Sequence, residues 1–191
     1  MTVSRAGRHV MGAVSKVVRA GAAVAVVAAG VTAAGQAASA AAAPECGASG
    51  LSAKVTGTAA GMSQPVTFVT VTNTGSQACY VKGYPNIDKV KSKARKVSFT
   101  VTKGGVQNAP QVKVSKVVLQ PGGKAWFAIG TATAYDPPIV NLTKVVFSID
   151  GEATPSTVLK VKIAQQATAP SGKPVPINIT PFAKGIGTGA E

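Results

Sequence analysis

The chain has 191 residues, a formal net charge of +14 and a single histidine. That length suits one domain with a tail. With 20 basic residues, 6 acids and two cysteines, it offers little material for carboxylate, zinc or histidine-dependent chemistry.

In chain order, Met1–Ala20 carries Arg5, Arg8, Lys16 and Arg19 and no acid. Gly21–Ala34 is a run of Ala, Val and Gly with one Thr, and Ala38-Ser39-Ala40 puts small residues at the positions a signal peptidase reads. This pattern predicts a secretory signal peptide over 1–40, cut after Ala40. An uncleaved anchor is the alternative, but Ala and Gly are weak membrane formers, so no span is expected in the mature chain. Ala43-Pro44-Glu45 before Cys46 does not suit a lipobox.

The mature product is expected to be secreted or cell-wall-associated. It keeps every acid and loses four basic residues and His9. Without histidine, the usual Ser-His and Cys-His nucleophile arrangements are gone. Cys46 and Cys79, in an exported chain, read as one disulfide. It closes a loop of about 33 residues, worth roughly 3–4 kcal/mol.

The mature sequence predicts strands: short β-branched runs of period 2 split by Gly, Pro, Asn and Asp. They fall at Leu51–Gly57, Pro65–Thr74, Ala78–Lys82, Ile87–Lys91, Lys96–Thr102, Val112–Leu119, Lys124–Thr131, Leu142–Ile149 and Thr157–Ile163. With no helical connection long enough for a parallel sheet, these imply an antiparallel sandwich or barrel over 41–165. Gln165–Gly172 reads as a linker. In the remaining tail, 166–191, Val175, Ile177 and Ile179 alternate among prolines, either as an edge strand or as an extended segment. Gly185–Glu191 is expected to be disordered.

Cys46, Thr72-Asn73-Thr74-Gly75, Cys79, Gly83-Tyr84-Pro85 and Leu119-Gln120-Pro121-Gly122-Gly123 together resemble the domain-of-unknown-function 4232 family of exported actinobacterial proteins. The resemblance covers roughly 46–163. It implies an all-β, immunoglobulin-like antiparallel β-sandwich with a disulfide between Cys46 and Cys79. It implies no catalytic residue, ligand or cofactor. The motif residues read as folding signals: Asn73 and Gly75 suit a turn with positive φ, and Pro121-Gly122 a β-turn.

Asp150-Gly151-Glu152 is the one close pair of acids, and it reads as a hairpin turn rather than as a carboxylate pair or Ca²⁺ loop. Neither catalytic nor metal-binding residues are assigned, and no cofactor is expected. The positive signal is basic. Lys89, Lys91, Lys93 and Arg95 alternate, so a strand would put them on one face; Lys96 follows, and Lys160 and Lys162 alternate likewise. These residues are candidates for holding anionic cell-wall polymers. A solvated, edge-protecting lysine face is the competing explanation. Specific nucleic-acid recognition is not expected, because aromatic residues do not interleave with the lysines. The second functional reading is an adaptor for an envelope protein, anchored by Tyr80, Tyr84, Trp126 or Tyr135. A monomer is expected.

Overall fold

The computed structural model describes residues 43–47, 50–93, 95–132, 139–149, 157–168 and 173–188. The expected signal peptide, Tyr135 and Asp150-Gly151-Glu152 lie outside the described residues.

The described chain is all-β. Its strands are β1 (Leu51–Gly61), β2 (Gln64–Asn73), β3 (Cys79–Lys82), β4 (Asn86–Ser92), β5 (Arg95–Val97) and β6 (Phe99–Lys103), followed by β7 (Lys116–Leu119), β8 (Lys124–Thr131), β9 (Ile139–Ile149), β10 (Thr157–Thr168), β11 (Val175–Ile179) and β12 (Ala183–Lys184). One sheet runs β1-β2-β8-β11-β6, with β12 also on β8; a second runs β10-β9-β4-β5; β3 and β7 pair by themselves.

Alternation explains how the two larger sheets meet. Val69 and Val71 of β2, Phe127 and Ile129 of β8, and Ile177 and Ile179 of β11 face inward. So do Val90, Val145, Phe147, Val161 and Ile163 of the second sheet, and all of these residues share one core. Phe127 meets Phe147 edge-on across the layers, with ring centroids 4.9 Å apart, and Phe182 packs edge-on against Phe127 at 5.5 Å. Such pairs add about 0.5–1.5 kcal/mol beyond their buried area.

The first sheet is covered on its other face as well. Val66, Phe68, Trp126 and Ala128 form a second apolar cluster with Val106. This is why β2 reads as an unbroken buried run at Val66–Val71 rather than a clean alternation.

The disulfide joins Cys46 to Cys79. Around it, the Cys46 N–H donates to the Tyr80 carbonyl and the Tyr80 N–H to the Pro44 carbonyl, both below 3 Å. The N-terminal segment is thereby tied to β3.

Five expectations change. Of the strand expected over Val112–Leu119, only Lys116–Leu119 forms, as β7. The strand expected over Lys96–Thr102 is two strands in different sheets, and the chain crosses between layers at Ser98. Gln165–Thr168, expected as linker, continues β10 opposite Leu142–Ile139 after a bulge. Gln165 is buried there, its amide donating to the Pro65 and Ile129 carbonyls and the Thr131 hydroxyl. Val175–Ile179 is neither edge strand nor free tail: it lies between β8, antiparallel, and β6, parallel.

Proline is tolerated in that interior position for a geometric reason. The Val175 N–H points to Ser98 on the β6 side and the Thr180 N–H to Ala128 on the β8 side. By alternation the Pro176 nitrogen faces β8, whose pairing starts only at Ile177. Finally, Gly187, expected in a disordered end, is buried. Its carbonyl accepts from the Thr56 hydroxyl at 2.6 Å, and its N–H donates to the Thr70 hydroxyl at 3.3 Å.

Candidate functional site

The outer face of the β10-β9-β4-β5 sheet gathers the basic residues. Lys96 of β5 pairs with Lys91 of β4, Lys91 with Lys144 of β9, and Lys144 with Lys162 of β10. Directly paired residues share a face. The adjacent row, Val97–Val90–Val145–Val161, points into the core, so the four lysines point out. Three steps of about 4.8 Å make this a cationic row roughly 14 Å long.

The next outward row is Lys89–Val146–Lys160. Val146 faces outward by alternation, yet it is only 7% exposed. Its paired neighbours are both lysines, a residue type whose alkyl stem can lie over an apolar neighbour while the ammonium stays in water. A bulge between Ile87 and Lys89 sets this register. Asp88 sits in the bulge and accepts a hydrogen bond from the Ser148 hydroxyl at 3.1 Å.

The structure therefore places Lys89, Lys91, Lys96, Lys160 and Lys162 on one surface. Lys96 joins by a route the alternation did not contain: the β4–β5 hairpin reverses the chain and sets it opposite Lys91. Lys93 does not join the strand face. It has φ 47° and occupies the hairpin turn. Arg95 belongs to β5, opposite Ser92. Lys144 was missed as a site residue, since only the register of a strand fifty residues away brings it into the row.

Of the described aromatic candidates, Trp126 is buried and Tyr80 and Tyr84 are half-buried. Trp126 is 8% exposed and packs on Phe68 at 5.6 Å, so it is not an exposed anchor; the C-terminal segment lies over it. Tyr80 is half-buried, carries the Lys116 ammonium over its ring at 3.8 Å and donates its hydroxyl to Glu45 at 2.9 Å. Tyr84 is half-buried beneath Lys103.

Among the described residues, no group of three or more His, Cys, Asp or Glu side chains could hold a metal ion. Nor is any helix among them long and apolar enough to cross a membrane.

The sequence motifs converge on structure rather than on this surface. The Asn73 side-chain amide donates to the carbonyls of Leu119 and Gln77, and its oxygen accepts from the Gly75 N–H. Its backbone exchanges hydrogen bonds with Gly122 and Gly123. The positive φ expected at Asn73 and Gly75 is absent, whereas Gly83 and Gly122 both have φ 76°.

No curated protein and no solved structure matches the chain. The match to the domain of unknown function DUF4232 runs from residue 46 to 183, which takes in β11 and the first residue of β12. The chain belongs to the DUF4232 family.

Proposed function

We propose that this protein is a non-enzymatic exported module that holds acidic cell-envelope polymers on the outer face of its four-stranded sheet. The reading rests on one observation, the row Lys96–Lys91–Lys144–Lys162 across all four strands. Like charges directly opposite one another destabilise a sheet. A protective role would place lysines on exposed edges. Lys91 and Lys144 instead sit on β4 and β9, the two interior strands. A polyanion laid across the row would offset the repulsion at both.

Binding of this kind is long-ranged at low ionic strength and is screened over about 8 Å at physiological salt. Purified protein should cosediment with isolated cell walls at low salt and be released as salt rises. The Lys91→Gln/Lys144→Gln double variant should be released at lower salt. Retention that ignores both salt and the substitutions would overturn the reading. The disulfide is compatible with an oxidising compartment outside the cytoplasm.

A further inference from the structure

A cleft of about 720 Å³ opens where the β4–β5 hairpin meets the start of β9. Its lining includes Lys93, Lys96, Val97, Ile139, Val140 and Asn141. Three of these are apolar. Val97 and Val140 are partly buried and pack against the main core, and both line the cleft. Ile139, 46% exposed, also lines it. The two lysines stand with it, and Lys96 also begins the cationic row.

We propose that this cleft binds an anionic amphiphile with a single long acyl chain, such as a fatty acid. The volume is that of a small-molecule site and too small for a folded partner. The apolar side chains of Val97, Ile139 and Val140 in the lining suit a hydrocarbon chain, since each buried methylene contributes about 0.8 kcal/mol. Two lysines in the lining, Lys93 and Lys96, suit a carboxylate and disfavour a cationic or neutral head. Asn141 supplies a neutral polar group beside them. This site goes beyond the polymer-binding face. It shares Lys96 with that face, but it draws its affinity from apolar contact that the row lacks.

The test is a fluorescence titration of the purified protein with a dansyl-labelled long-chain fatty acid, and with the matching uncharged dansyl-labelled alcohol. The fatty acid should bind saturably at one site and more tightly than the alcohol. Ile139→Asp and Lys96→Glu should each weaken it about tenfold, that is by roughly 1.4 kcal/mol. Ile139 is exposed, so its replacement leaves the core intact. Ile139→Ser, which adds no charge, should weaken the fatty acid but leave inorganic polyphosphate binding unchanged, which separates this site from the lysine row. The proposal falls if the wild-type protein shows no saturable binding, if the alcohol binds as well as the acid, or if Ile139→Asp binds like wild type.

Discussion

The Asn73 side-chain amide donates to the Leu119 carbonyl at 2.9 Å, joining two motifs 46 residues apart. The same side chain also bonds Gln77 and Gly75, so one residue fastens the end of β2, the following turn and the end of β7. Replacing it with alanine leaves the buried Leu119 carbonyl without this donor. An unsatisfied buried group of that kind costs about 1–3 kcal/mol. Urea denaturation of Asn73→Ala should show a loss in that range, and an unchanged midpoint would refute the hub role.

Gly123 and Gly122 should respond to alanine by different mechanisms. A Cβ at Gly123 would lie 2.7 Å from the Gln120 carbonyl oxygen and 2.8 Å from its nitrogen. Both are backbone atoms within the turn, so relief requires moving the turn itself. At Gly122 there is open space, but φ is 76°, and the cost is backbone strain of about 1–2 kcal/mol. Thermal melts should rank Gly123→Ala below Gly122→Ala. The reverse order would mean that the turn relaxes freely.

Neutralising an interior lysine of the row should stabilise the fold. Lys144 has like charges directly opposite on both sides, Lys91 and Lys162. Lys144→Gln should gain about 0.2–1 kcal/mol at low ionic strength, with the gain shrinking as salt is added. Lys162→Gln, on β10 at the sheet edge, has one such neighbour and should gain less. Chemical denaturation at two salt concentrations checks both.

Loss of the Cys46–Cys79 bond should cost about 2–5 kcal/mol, the usual range for a native bridge in a small domain. Part of the N-terminal tether would survive reduction through the Cys46–Tyr80 and Tyr80–Pro44 backbone hydrogen bonds and the Tyr80–Glu45 contact. Melting with and without reductant should therefore reveal a weakened domain that still folds. Identical melting temperatures would count against a stabilising bridge.

Truncating the chain after Lys184 should uncover Trp126. Gly187 lies against it: a Cβ there would come 3.0 Å from the Trp126 side chain. Trp126 is the only tryptophan, so its emission reports this face alone. A red shift is expected on truncation, and unchanged emission would show that the C-terminal segment does not shield it.

The strands that packing requires in any register were the most legible. Lys124–Thr131 lies where its pattern predicts, because Phe127 and Trp126 face two separate apolar layers and every residue after Lys124 is buried. The break at Ser98 was hidden, since β-branched residues continue on both sides of it and only the partner sheet changes. Lys89 and Lys91 were legible as neighbours on one face because alternation is local. Lys96 and Lys144 were not, because hairpin reversal and inter-strand register are set by tertiary contacts. Lys93 obeyed turn chemistry instead of alternation. The motif residues were legible as structural, but Asn73 acts through its amide rather than through φ.

Because β11 lies between β8 and β6, the chain up to β10 leaves β6 without a partner in the larger sheet. Shorter nascent chains expose the facing edges of two strands and lack Ile177, Ile179 and Phe182, all fully buried in the finished domain. Joining β6 to the larger sheet therefore depends on a strand far along the chain, with Val175 set opposite Phe99. Contacts that far apart in sequence are slow to form, so completion of the shared core waits for β11.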